Sequence, residues 1–184
     1  MGKGDWWQAH REDIERWRGR RRHELGGSSP NGIAGAYEWH YFGGLTFDQR
    51  RVPQERLWGD TWVPRRISLD VAVARAKRFM RQAEKALGRR LVMVVALEAH
   101  RNGWPHFHPL IHVEGGRRRG DLQTIGPVWY ELNGYEHLEL VRFPEQAARY
   151  CGKYMVKDDG VEVLFSENFG RGGPEGCSGQ EKGV

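Results

Sequence analysis

The stretch Leu91-Val92-Met93-Val94-Val95-Ala96-Leu97-Glu98, followed by Arg101-Asn102-Gly103 and then Pro105-His106-Phe107-His108-Pro109-Leu110-Ile111-His112-Val113, decides the fold. Leu91 to Glu98 is a continuous apolar run rich in β-branched residues, which reads as a buried central strand. Arg101-Asn102-Gly103 is a turn signal and Pro105 to Val113 a second strand, so the two form a hairpin. Alternate residues of a strand share a face, so His106 and His108 point the same way. With the turn centred near Asn102 and Gly103, Glu98 lies opposite residues 106 to 108.

Outward from the hairpin, Leu69, Val73, Ala76, Phe79, Met80, Ala83 and Leu87 recur at helical spacing, and Gly88 stops that helix. Glu38 to Phe47 reads as a first strand. Residues 48–68, with prolines, tryptophans and arginines, read as a long surface loop. Arg117 to Asn133 is a weaker helix interrupted by Gly126-Pro127. Tyr135 to Phe143 alternates like an outer strand. Pro144 opens a last helix, with Ala147, Ala148, Cys151 and Met155 on its apolar face. The expected fold is α+β: a ferredoxin-like or RRM-like antiparallel sheet of β-α-β-β-α-β order, helices on one face, then a C-terminal tyrosine-bearing helix. Residues 1–30 are read as a basic Trp/Arg-rich arm with a charged helix over 5–25, 31–163 as the main domain, and 164–184 as a Gly-rich flexible tail.

At 184 residues the chain is one ordinary domain with short arms. No apolar run approaches the ~20 residues of a membrane span, and the start lacks a secretory layout. Two cysteines make neither a metal-spaced cluster nor a disulfide framework, so a cytoplasmic location is expected. A formal charge of +5, a pI near 9.4 and eight tryptophans among many arginines favour a polyanionic, single-stranded partner. Arg50, Arg51, Arg65 and Arg66 in the long loop are the expected DNA-backbone contacts, with Lys157 on the last helix.

Eight histidines in 184 residues give about a third of a chance His-x-His pair per chain, so the spacing alone is weak. Its context is stronger, because two imidazoles on one face of a central strand need partners. His106, His108 and Glu98 together would leave open positions on a divalent cation. That set suits Mn²⁺ or Mg²⁺ in phosphoryl chemistry, and Zn²⁺ is admissible. His112 reads as a core histidine or one supporting the ligands.

Tyr150-Cys151-Gly152-Lys153-Tyr154-Met155-Val156-Lys157 repeats Tyr-x-x-Lys at a period of four. On a helix, Tyr150, Lys153, Tyr154 and Lys157 form one stripe, and Cys151 and Met155 turn the other way. A free phenol titrates near 10, and a neighbouring ammonium favours the phenolate. Tyr150 is the expected primary nucleophile, Tyr154 a second one and Lys153 the assisting cation. Taken alone, each motif also has an ordinary reading: hydrogen-bonded surface histidines, and an amphipathic helix whose tyrosines snorkel.

Jointly the motifs resemble a known family. Glu98 through Val113, with Gly-Trp-Pro-His-Phe-His followed by Leu-Ile, looks like motif II of the HUH endonucleases. Tyr150 to Lys157 looks like motif III of the rolling-circle replication initiators, the Rep proteins, in their two-tyrosine form. Tyr41-Phe42-Gly43-Gly44-Leu45-Thr46-Phe47 resembles their motif I, although Gly43-Gly44 stands where bulkier residues are usual. The resemblance spans roughly residues 38 to 158. It implies His106 and His108 as metal ligands with Glu98 as third ligand, Tyr150 and Tyr154 as nucleophile candidates, and Lys153 as the assisting cation.

The expected activity is therefore metal-dependent nicking of a single-stranded replication origin of a plasmid or phage through a 5′-phosphotyrosine. A phosphate-binding G-x-x-x-x-G-K-[ST] loop is missing, so unwinding is assigned to a separate helicase, encoded by the host or the element. The rivals are a tyrosine transposase of the same superfamily and a non-enzymatic ferredoxin-like module that stacks single-stranded nucleic acid on sheet aromatics.

Overall fold

A computed structural model describes residues 30–51, 54–56, 62–64, 67–99, 104–155 and 162–170. In chain order its elements are α1 (Pro30–Gly35), β1 (Tyr41–Phe47), a 3₁₀ turn (Gln49–Arg51), β2 (Gln54–Arg56), β3 (Trp62–Pro64) and α2 (Leu69–Leu87). There follow β4 (Leu91–Ala99), β5 (Pro105–Val113), α3 (Asp121–Leu132), β6 (Gly134–Leu140), α4 (Pro144–Met155) and β7 (Glu162–Phe165). The helix expected over 5–25 lies outside the described residues.

The central hairpin forms as its sequence dictates. β4 and β5 pair antiparallel with Glu98 opposite His106 and Ala96 opposite His108. β1 lies on the other side of β5, with Thr46 opposite His106 and Phe42 opposite Leu110. The five-stranded sheet runs β6-β1-β5-β4-β7, and every pairing is antiparallel. The fold is thus α+β.

Strand alternation divides the core in two. Tyr41, Leu45, Phe47, Met93, Val95, Leu97, Phe107, Ile111 and Val113 meet α2 and α3 in the larger apolar cluster. The intervening residues Val92, Val94 and Leu110 meet Ile33, Trp39, Val141, Ala147 and Tyr150 in a smaller one, so α1 and α4 cover the opposite face. Ser68 caps α2 by accepting from the Val71 N–H at 3.4 Å, and Gly88 closes it at φ 65°, where a Cβ is disfavoured. The apolar stripe read from the sequence is the buried one, with Ala72 added and Leu87 only partly buried.

Three expectations need correction. The stretch 48–68 is no plain loop: it holds the 3₁₀ turn and a short hairpin pairing Gln54 with Pro64 and Arg56 with Trp62. Strands of three residues are too short to show periodicity. Second, α3 runs unbroken through Gly126-Pro127. Proline inside a helix costs about 3 kcal/mol, and the complete burial of Ile125 and Trp129 on either side offsets it. Third, the tail read from residue 164 begins as part of the sheet.

Leu97 pairs with Glu162 and Val94 with Phe165, so β7 covers the outer edge of β4. Ser166 then exchanges two bonds with Met93, its N–H donating to the Met93 carbonyl and its Oγ accepting from the Met93 N–H, each at 2.9 Å. A four-residue strand followed by glycines and polar residues carries too little pattern to be read, yet the unpaired edge of β4 recruits it. Residues 171–184 lie outside the described set. Among the described residues no helix is long and apolar enough to cross a membrane.

Candidate active site

Residues directly opposite each other on antiparallel strands share a face. The register therefore lines up Tyr135, Thr46, His106 and Glu98 across β6, β1, β5 and β4, on the side covered by α4. His108 follows one row along β5. The two imidazole rings meet edge to face with centroids 4.6 Å apart. Thr46 Oγ1 lies 2.7 Å from His106 Nδ1. With Nδ1 donating to that hydroxyl, His106 presents the lone pair of Nε2, the orienting role that a hydrogen-bonded partner plays behind a metal-binding histidine. His108 Nε2 lies 3.2 Å from Glu98 Oε2.

Gly43 and Gly44, the departure noted in the sequence, have a spatial reason. A Cβ on Gly44 would come 3.1 Å from His106 Nε2, so the imidazole lies over a position that carries no side chain. A Cβ on Gly43 would fall 2.0 Å from the His137 carbonyl oxygen, which no side chain could survive.

Burial is the largest influence on His108 and, with the neighbouring His106, pushes its pKa down to about 4. Glu98 and a hydrogen bond to the Gly43 backbone oppose this less strongly. The imidazole is therefore neutral at pH 7, the form that ligates metals.

One pair of the expected donors has the spacing of neighbouring metal ligands. Adjacent ligands of an octahedral cation with bonds of about 2.1 Å lie about 3 Å apart. His108 Nε2 and Glu98 Oε2 already have that spacing, at 3.2 Å. Among the described residues no three such side chains form a ready-made cage. His106, His108 and Glu98 are instead neighbours on one surface, with His108 and Glu98 hydrogen-bonded to each other.

The tyrosine helix comes to this surface. Gln146 Oε1 accepts from the Arg142 and Phe143 N–H groups, tying down the start of α4. Ala147 and Tyr150, one turn apart, both face the sheet and are buried. The Tyr150 ring stands edge-on to Phe42 at 5.2 Å and to His108 at 5.9 Å. Its hydroxyl donates to the Gly43 carbonyl, the residue whose backbone also bonds His108. This corrects the expected division of the helix: Tyr150 lies on the core-facing side, because the α4 face of the sheet is where the histidines are. The Lys153 and Tyr154 backbones belong to α4, and their side chains lie outside the described set.

Of the four loop arginines, Arg65 and Arg66 lie outside the described residues, as does Lys157. Arg50 donates through Nε and NH2 to both carboxylate oxygens of Asp48, each at 3.0 Å, and through NH2 to the Tyr135 hydroxyl. The Arg50 hydrogen bonds hold the Asp48 carboxyl below the usual carboxylate range. Arg51 donates to the Tyr130 carbonyl and lies 4.5 Å over the Tyr130 ring. Both arginines are thus engaged within the chain at the end of the sheet that carries the histidines.

His112 is away from this group. Its Nδ1 lies 2.7 Å from the Glu38 carbonyl and its ring stacks on the buried His40 at 5.0 Å. Sequence reasoning missed Thr46, Asp48 and Tyr135 as neighbours of the site. A threonine in step with the histidines was the available signal for the first; nothing local marked the other two. No family model, curated protein or solved structure matches the chain.

Proposed function

We propose that this protein is a metal-dependent, single-strand-specific DNA endonuclease and strand transferase of the HUH type, acting as a Rep initiator at the replication origin of a plasmid or phage. The observation that carries the reading is the approach of Tyr150 to His108, residues brought together from α4 and β5 by the Gly43 backbone that both bond. The reading includes a ferredoxin-like core. The order β6-β1-β5-β4, with α2 and α3 on one face, is the order a β-α-β-β-α-β unit of that kind takes, and supports it.

In this account His106, His108 and Glu98 hold the cation, Mn²⁺ or Mg²⁺ with Zn²⁺ as the alternative. When bound, it supplies positive charge to the scissile phosphate. Burial keeps His108 neutral for ligation, and Thr46 fixes the His106 ring. Tyr150 Oη attacks the phosphorus: its bond forms as the P–O3′ bond breaks, the phenolic proton passes to solvent water, and the departing 3′-oxygen takes a proton from solvent to become a hydroxyl. The products are a 5′-phosphotyrosine and a free 3′-hydroxyl, and the reverse reaction reseals the strand without ATP. Lys153, three residues on from Tyr150 in the helix sequence, is the assisting cation that favours the phenolate in this account, and Tyr154 acts in a second round. A separate helicase unwinds the duplex.

The test uses circular single-stranded DNA. With Mn²⁺ the full chain linearises it and EDTA stops the reaction; linearisation at the same rate in EDTA would remove the metal from the account.

A further inference from the structure

The row of side chains that contains His106 does not end at the metal-binding residues. Beyond Thr46 it reaches Tyr135 on the edge strand β6, two strands from His106, or about 10 Å across the sheet. Tyr135 is half exposed, on the same side of the sheet as the candidate active site. It is also held in place. Arg50 bonds its hydroxyl, and the same guanidinium is fixed by both oxygens of Asp48, itself buried. Arg50 nevertheless keeps 77% of its side chain exposed. An exposed cation is thus pinned to an exposed ring by a buried carboxylate.

A surface arginine normally gains little from such fixing, because ordering its side chain opposes the ion pair. Fixing it does lower the entropy lost when something binds. The site offers a half-exposed aromatic ring with a cation beside it, on a chain of net charge +5. Single-stranded nucleic acid presents the complement, unpaired bases with π-faces strung on phosphates.

We propose that Tyr135, positioned by Arg50 and Asp48, is a stacking platform for an unpaired base of the DNA strand near the scissile phosphate. Arg50 neutralises the phosphate next to that base. The proposal rests on the function proposed above, adding the residue that seats the strand. Tyr135 acts in binding, not in bond breaking.

The experiment reads binding separately from cutting. Single-stranded oligonucleotides carrying 2-aminopurine at successive positions are titrated with the full chain in EDTA, following fluorescence and affinity. At one position the wild type quenches the probe. Tyr135→Leu keeps an apolar side chain but loses that quenching, and binds about 5- to 150-fold more weakly, the range expected for one stacked base. Tyr135→Phe keeps the ring and the quenching, and its thermal midpoint and that of Tyr135→Leu stay near wild type. Undiminished quenching and affinity in Tyr135→Leu would overturn the proposal, as would equal quenching with a duplex, whose bases are covered. Quenching that depends on Tyr135 without any covalent adduct in Mn²⁺ would uphold the platform and sink the endonuclease reading. An adduct from a wild type that never quenches the probe would do the reverse.

Discussion

On β5, Phe107, Ile111 and Val113 turn towards α2 and α3, whereas His106, His108 and His112 turn towards α4. The same strand therefore supplies two surfaces. On the first, Trp129 packs among Phe47, Phe79 and Phe107 at centroid distances of 5.3 to 5.6 Å. On the second, apolar packing by Val92, Val94 and Leu110 gives way to His108, His106 and Glu98 towards one end of the sheet. A strand with one apolar side buried in a large cluster can carry polar side chains on its other side and still be held. The larger apolar cluster and the proposed chemistry occupy opposite faces, with the smaller cluster beside the latter.

The sharpest way to break that division is to remove the histidines. His106→Ala with His108→Ala should abolish nicking while the thermal midpoint shifts little. Wild-type nicking by the double variant would remove them from the reaction, and unfolding would show that the second face also carries the fold. Glu98→Gln should weaken binding of Mn²⁺ less than either histidine loss, measured by metal titration. An unaltered titration would take Glu98 out of the site.

The converse change acts on the apolar face. Trp129→Ala should destabilise the protein by about 3–5 kcal/mol in chemical denaturation, the range for losing a large buried aromatic. A loss below about 1 kcal/mol would mean the larger cluster does not dominate stability. Where folded, the variant should still form covalent adduct.

A smaller effect concerns the histidine pair away from the proposed site. Burial, then the adjacent His112, lowers the His40 pKa from the usual 6.5. The folded state thus binds fewer protons than the unfolded one, so this contribution is complete above pH 6.5 and is lost as pH falls through the depressed value. His40 Nδ1 accepts from the Val113 N–H at 3.0 Å, a bond an asparagine oxygen can replace. His40→Asn should therefore flatten the fall in thermal midpoint as pH drops below about 6.5. An unchanged slope would assign that acid sensitivity elsewhere.

These comparisons also mark what could be read from the residues. Helix α2 was legible from Leu69 to Leu87 because its apolar stripe and its stop at Gly88 are local; its Ser68 cap was not read. The placement of Glu98 opposite His106 was legible because the Arg101-Asn102-Gly103 turn signal in the sequence fixes the expected register. The β7 pairing was not, since it depends on an edge of β4 far away in the chain. Nor was the inward face of Tyr150, because helical spacing groups it with Lys153 and Tyr154 but says nothing about which side meets the sheet. Gly43-Gly44 read as a departure from a pattern. In the fold it is the room occupied by His106 and the carbonyl that Tyr150 bonds.

The central claim is that Tyr150 is the nucleophile. The full chain, with Mn²⁺ and a library of single-stranded oligonucleotides, is run on a denaturing gel and the trapped adduct is mapped by peptide sequencing. The account predicts a covalent protein–DNA species with DNA on Tyr150, largely lost in Tyr150→Phe and largely retained in Tyr154→Phe. DNA on Tyr154 alone would reverse the assignment, and a wild type with DNA on neither tyrosine would contradict the account.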